Sequence, residues 1–298
     1  MTMLFSVIIP TFNRRRLLQC AIESVLQQTL TDYEVLVVDD GSADETKQYL
    51  ATLGNRVRVF TQSNQGPGAA RNLAIKHANG QYLAFLDSDD LWFPWSLETY
   101  ALAIRNSDKP AFIAGNPFRF RYEEKLSDIK REGLSSRKFP DYLASGDEWR
   151  WWGVSSFVVR TEVIRERGGF ASKNMNGEDG DLALRLGDAR GFVQITHPIT
   201  FAYREHDTNA TADLAKTIEG VWHKIRTEIA NGYPGGRRRM TERLRILTRD
   251  VRPVALECLR AGSRREGWQL YRATFRWHWI LGRWKFITGF PLRAFFAR

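Results

Sequence analysis

Gln81-Tyr82-Leu83-Ala84-Phe85-Leu86-Asp87-Ser88-Asp89-Asp90 is an apolar run that stops abruptly on three carboxylates. Residues 83–86 read as a strand that is apolar on both faces, hence one buried in the middle of a sheet. Asp87 and Asp89 stand two residues apart, and in extended chain such residues point to the same side. Like charges held together need a cation or hydrogen-bond donors to compensate them. A hard divalent ion with oxygen ligands, Mn2+ or Mg2+, suits that task and leaves positions for substrate phosphates. The same residues also suit an acidic turn that caps the following helix.

The residues before this strand alternate in pattern. Residues 5–10 read as a buried strand. Over residues 14–28, Leu18, Ala21, Ile22, Val25 and Leu26 recur at helical spacing, with Asn13 as the expected N-cap. Residues 34–38 form a second strand, ending in Asp39-Asp40-Gly41-Ser42. Ser42 and Glu45 have the spacing of a capping box, which predicts a helix over residues 43–53. A third strand over 57–61, a helix over 69–78 and the turn Asn79-Gly80 lead into the strand quoted above.

Alternating strands and helices of this kind imply an α/β fold, with parallel strands joined by right-handed crossovers and helices on both faces. Ligands of such sheets bind beyond the carboxyl ends of the strands. The loops 11–14, 39–42 and 87–90 all fall there, so three separate loops are expected at one crevice. The first strand–helix turn lacks Gly-x-Gly-x-x-Gly, and no P-loop is present. Hydride transfer on a dinucleotide is therefore set aside.

With 298 residues, 43% hydrophobic and 26% charged, the chain can build one large domain or two ordinary ones. Cys20 and Cys258 are far apart and suggest neither a disulfide framework nor a metal clip, which fits a reducing compartment. The first strand begins at once, with no basic leader, and no run of about 18 apolar residues is present, so no spanning helix is expected. The net charge of +10 is unevenly spread: residues 237–298 hold 16 Lys and Arg against 4 Asp and Glu, and the rest of the chain is close to neutral.

Five stretches in order resemble the signatures of family 2 inverting glycosyltransferases: Ser6 to Arg14, Val37-Val38-Asp39-Asp40-Gly41-Ser42, Gly68-Ala69-Ala70-Arg71-Asn72, Asp87-Ser88-Asp89-Asp90, and Gly168-Gly169-Phe170 followed by Gly177 to Leu182 and Arg185. The likeness covers about residues 4–206. It implies a GT-A nucleotide-diphospho-sugar transferase fold, a mostly parallel sheet flanked by helices. It also implies a nucleoside-diphosphate sugar donor and a glycan or lipid-linked acceptor. By that likeness Pro10, Thr11 and Asn13 line the base and ribose, and Asp40 accepts a hydrogen bond from the base. A carboxylate can accept from a ring N–H, which favours uracil, thymine or guanine over adenine. Arg71 suits the diphosphate or the base. Asp89 contacts the metal, Mn2+ or Mg2+, while Asp87 supports the ribose or the metal, and His206 is a further candidate ligand. Asp90 ranks third, since strict alternation points it to the other face. Asp179, read as lying in a glycine-flanked loop before a helix over 182–186, is the expected general base. Helix capping by Asp179 or Asp181 is the alternative.

Residues 116–150 are polar and poorly periodic and read as an excursion over the sheet edge, with further strands over 111–114 and 156–159. Trp149, Arg150, Trp151 and Trp152 suit stacking on a sugar ring, or plain core packing. The Gln-x-x-Arg-Trp motif and spanning helices of processive relatives are absent after residue 206, so transfer of a single sugar is expected. The domains expected are thus a glycosyltransferase domain over 1–206 and a helical, basic, aromatic region over 207–298.

In that tail, residues 268–298 hold ten aromatics interleaved with arginines. The composition suits a segment in the headgroup layer of an anionic membrane ahead of docking on the catalytic part, with no nucleic acid as partner. Together these readings lead to the expectation of a metal-dependent glycosyltransferase, cytoplasmic and peripheral on the inner face of the cell membrane, and the resemblance alone implies a role in bacterial surface-polysaccharide synthesis. A nucleotidyltransferase, or a non-catalytic nucleotide-sugar or membrane-binding module, is the alternative.

Overall fold

A strand covered on both faces has no polar side to show, and β1 (Phe5–Thr11) is buried at all seven positions. The computed structural model describes residues 3–121, 126–146, 148, 153–172, 175–206 and 213–296. In it, β2 (Tyr33–Asp39) and then β3 (Arg58–Thr61) lie to one side of β1, and β4 (Tyr82–Phe85) lies to the other. All four are parallel, joined through α1 (Arg15–Leu26), α2 (Thr46–Thr52) and α3 (Pro67–His77). The register sets Thr11 beside Asp39 and Ile8 beside Phe85, so the carboxyl ends of β1, β2 and β4 lie next to one another.

Beyond β4 the chain adds β5 (Leu91–Trp92), α4 (Ser96–Arg105), β6 (Phe112–Ala114), β7 (Pro117–Phe120), β8 (Ser135–Phe139), α5 (Tyr142–Ser145), β9 (Phe157–Arg160) and α6 (Thr161–Glu166). β9 runs antiparallel between β4 and β6; β10 (Phe192–His197) runs parallel to β6 and antiparallel to β8. Among the described residues the main sheet thus has eight strands, in the order β3-β2-β1-β4-β9-β6-β10-β8. Arg137 and Lys138 keep the edge strand β8 polar. β11 (Phe201–Arg204) forms a small second sheet between β5 and β7. These strands form one compact unit, made of Met1–Tyr142, Arg150–Asn174 and Ala189–Asp207. Its core joins Phe5, Val7 and Ile9 of β1 to Leu18 and Ile22 of α1 and to Leu97 and Tyr100 of α4. Full burial of each such side chain contributes about 1.5–3 kcal/mol.

The second unit comprises Leu143–Trp149, Met175–Asp188 and Thr208–Arg298. It is helical: α7 (Glu178–Arg185), α8 (Leu214–Ile229), α9 (Met240–Arg260), α10 (Arg264–Ile280) and α11 (Trp284–Phe296). Val221, Ile225, Val251, Leu259, Leu270, Tyr271, Phe286 and Phe290 form its core. The break between α8 and α9 is braced by buried Arg243, which pairs with Glu228 at 2.7 Å and donates to the carbonyls of Pro234 and Gly236.

Several local expectations are corrected. β4 stops at Phe85, and residues 87–90 turn, with Asp90 N donating to the Asp87 carbonyl. Strict alternation therefore does not govern the three carboxylates. Asn13 does not cap α1, which starts after Arg14 without a side-chain cap; its Oδ1 accepts instead from Ala43 N at 2.7 Å. No capping box forms at Ser42, because α2 begins only at Thr46 and Ser42 Oγ accepts from Asn13 N. Both polar groups serve a neighbouring loop rather than their own helix. The excursion over 116–150 is partly regular, holding β7, β8 and α5. Trp149, Arg150, Trp151 and Trp152 lie outside the described residues.

Candidate active site

The turn after β4 gathers what the sequence sets two residues apart. Carboxylate oxygens of Asp87, Asp89 and Asp90 come within 4.8 Å of one another, the one such cluster of three His, Cys, Asp or Glu among the described residues. The three have different surroundings. Asp90 is buried; one oxygen accepts from Ser155 Oγ at 2.6 Å and the other from Arg204 N at 3.0 Å. Burial, then the neighbouring Asp89 and Asp87 charges, push its pKa well above the usual carboxylate range. Asp90 therefore ties the turn to β11 and to the residues before β9. Asp87 and Asp89 stay partly exposed.

Positive groups answer both. Arg71 of α3, buried to 3% exposure, pairs with Asp87 at 2.6 Å and lies over the Phe170 ring. Arg71 is therefore no ordinary surface arginine. Asp89 is paired with Arg14, and His206 Nε2 lies 3.1 Å from the same oxygen. An all-oxygen cluster with an imidazole at its rim is a donor set that fits a hard dication of the Mn2+ or Mg2+ type.

The loop after β1 links this turn to the end of β2. Arg14 reaches Asp89, while Asn13 exchanges hydrogen bonds with Ser42 and Ala43. Gly41, at φ +84° in the β2 loop, has the Asn64 backbone 3.0 Å from where a Cβ would stand, so a side chain there meets strain and a clash. Asp40 is buried and already well satisfied: Oδ1 accepts from Gln62 Nε2 and Gln65 N, and Oδ2 from Gly66 N at 2.8 Å. Pro10 and Thr11 close β1, and Thr11 Oγ1 and Asp39 Oδ2 are buried with no hydrogen-bond partner. The three predicted loops therefore meet at one rim of the sheet.

Asp179 belongs to the second unit, and there it sits within the first turn of α7 rather than in a loop before a helix. Its Oδ1 accepts from Gly180 N at 2.7 Å. Asp181, 1% exposed, anchors the helix: it accepts from Tyr233 Oη at 2.8 Å and Arg185 Nε at 2.9 Å, with His223 Nε2 3.3 Å away. The segment ahead of α7 lies hard against α8, where Asn176 O would be 1.7 Å from a Cβ on Gly220.

Arg14 enters the sequence reading only as the last residue of the first loop and signature, with no role, and Ser155 and Arg204 are not singled out. Each holds the acidic turn from a distant part of the chain, and none has a local pattern that marks it. Arg204 stands two residues before the candidate ligand His206, the one signal that pointed to this stretch.

Residues 6–161, just over half of the chain, match the model of glycosyl transferase family 2. The chain is 50% identical over 221 residues to an uncharacterized glycosyltransferase of Rickettsia felis, covering 72% of this chain and 35% of that protein. It is 37% identical over 115 residues to the Escherichia coli UDP-Glc:alpha-D-GlcNAc-diphosphoundecaprenol beta-1,3-glucosyltransferase WfgD, covering 38% of this chain and 45% of the relative. Less than half the length of either relative is therefore spanned. Among solved structures, S. aureus TarS 1-349 in complex with UDP shares the fold at a TM-score of 0.60 and 19% identity, over 84% of this chain and 71% of that one. The Pyrobaculum calidifontis mannosyltransferase PcManGT, in complex with GDP-Man and Mn2+, does so at 0.54 and 16%, over 97% and 85%. The fold is that of the GT-A glycosyltransferases, and the family match runs through the three loops that meet at the acidic turn. The chain belongs to glycosyl transferase family 2.

Proposed function

We propose that the protein moves one sugar from a nucleoside-diphosphate sugar to a hydroxyl of a glycan or lipid-linked acceptor, with inversion at the anomeric carbon. The observation that carries this reading is the meeting of the Asp87–Asp90 turn with the loops after β1 and β2. A rim of that kind combines carboxylates for a cation with backbone and amide groups for a nucleoside. Pro10, Thr11 and Asn13 line base and ribose, and Asp40 accepts from a base N–H on Oδ2, which holds one bond, from Gly66 N, where Oδ1 already holds two. Arg71 acts on the donor through Asp87, whose carboxylate it holds.

Asp87 and Asp89, with His206 beside them, would hold Mn2+ or Mg2+. Such an ion, when bound, supplies positive charge against the charge that builds on a departing diphosphate. Asp179 removes the proton from the acceptor hydroxyl. The acceptor oxygen bonds to the anomeric carbon as that carbon's bond to the diphosphate oxygen breaks, and the electron pair leaves on the nucleoside diphosphate. One displacement inverts the configuration.

The E. coli relative is named for a diphosphoundecaprenol-linked acceptor. That supports a lipid-linked acceptor here, a role in surface-polysaccharide synthesis, and a cytoplasmic position at the inner face of the membrane. Incubation with candidate nucleotide sugars and Mn2+ tests the chemistry. Release of nucleoside diphosphate with an inverted glycoside is expected; release of pyrophosphate would instead mean nucleotidyl transfer.

A further inference from the structure

The ten aromatics of residues 268–298 divide into two populations. Tyr271, Phe286 and Phe290 are buried in the core of the helical unit, with Trp268, Phe275 and Trp277 packed against it. Trp279, Trp284, Phe295 and Phe296 are instead 52–82% exposed, and Ile280 and Leu292 accompany them. Core packing accounts for the first group and leaves the second unexplained.

α11 makes the division clear. Its inner face is Phe286, Ile287, Phe290 and Ala294. At about 100° per residue, Trp284, Thr288, Leu292 and Phe295 line up on the other side. A surface helix of a water-soluble unit ordinarily turns charge outward. Here the outer stripe is apolar, with Lys285 and Arg293 exposed beside it. The Trp284 ring meets Trp279 edge-on, centroids 4.8 Å apart, which carries the patch across the corner onto α10.

We propose that the outer face of α11, with the α10–α11 corner, seats in the headgroup layer of an anionic membrane. Charge decides for that occupant. Residues 264–298 contain eight Lys or Arg and a single carboxylate, Glu266. Aromatic and aliphatic side chains rimmed by Arg and Lys fit an interface that is apolar below and negatively charged above. The helix lies along the membrane and does not cross it. No helix among the described residues is long and apolar enough to span, and thirteen residues reach only about 20 Å. This inference goes beyond the transfer chemistry and is read without it.

Co-sedimentation of the full chain with vesicles of phosphatidylcholine, with or without phosphatidylglycerol, tests it. Binding is expected only with the anionic lipid and should weaken in high salt. L292S/F295S and K285E/R293E are each expected to lower vesicle affinity roughly tenfold or more, with melting temperatures near wild type because those side chains are exposed. Wild-type binding by both variants would overturn the proposal. So would failure to bind anionic vesicles, or self-association in solution that L292S/F295S abolishes, since a second copy would then be the occupant.

Discussion

Ser155 has one hydroxyl and two duties: it donates to buried Asp90 and accepts from Asp87 N at 3.0 Å. Ser155→Ala leaves both groups short of a partner. It should cost about 1–3 kcal/mol in urea unfolding and weaken metal-dependent donor binding. Asp179 makes a sharper test. Asp179→Asn keeps the size and a hydrogen-bonding side chain but removes the base, so turnover should fall about 10²–10⁴-fold while donor affinity holds. Unchanged turnover would remove Asp179 from the chemistry. At this scale the carboxylates were legible because Asp87 and Asp89 interrupt an apolar run. Arg14, Ser155 and Arg204 were not, because their partners lie 65 to 115 residues away.

The elements show how a short helix is held in place. α7 has eight residues, too few to be stable alone. Asp181 fastens it to Tyr233 and His223, and Asn176 lies against α8 at Gly220. Tyr233→Phe removes one hydrogen bond and should cost about 0.5–1.5 kcal/mol. Gly220→Ala forces the backbone apart and should destabilise the helical unit by more, as thermal melting would show. Periodicity made strands and helices readable in the first 90 residues, since apart from the largely exposed edge strand β3 the strands bury nearly every residue and α1 buries one apolar face. Caps were misread at Asn13 and Ser42 because side chains that suit a helix start also suit the next loop, and only the fold decides between them. Beyond residue 110 the expected strands over 111–114 and 156–159 are met by β6 and β9, but the antiparallel placement of β9 between β4 and β6 leaves no local pattern to read.

On the scale of the whole molecule, one buried group sets a response to acid. His278 is fully buried in the helical unit, and neither ring nitrogen has a hydrogen-bond partner. Burial, then the nearby Arg252 and Arg283 charges, lower its pKa from 6.5 to about 3. The unfolded chain binds a proton below pH 6.5 that the folded chain refuses. Its contribution to stability is therefore complete above that pH and is lost progressively as pH falls toward about 3. Denaturant unfolding across that window should show a shallower decline in His278→Leu than in wild type.

The uneven charge of the chain was visible in its composition, but which aromatics face outward depended on helix packing that composition does not encode. The central claim, a cation and a nucleoside diphosphate gathered by Asp87 and Asp89, is tested most directly by calorimetric titration of UDP, dTDP and GDP with and without Mn2+, on wild type and Asp89→Ala. The account predicts that one of the three nucleotides binds wild type tightly only when Mn2+ is present, and that Asp89→Ala loses this dependence together with most of the affinity. Equal, metal-dependent binding by Asp89→Ala would contradict it.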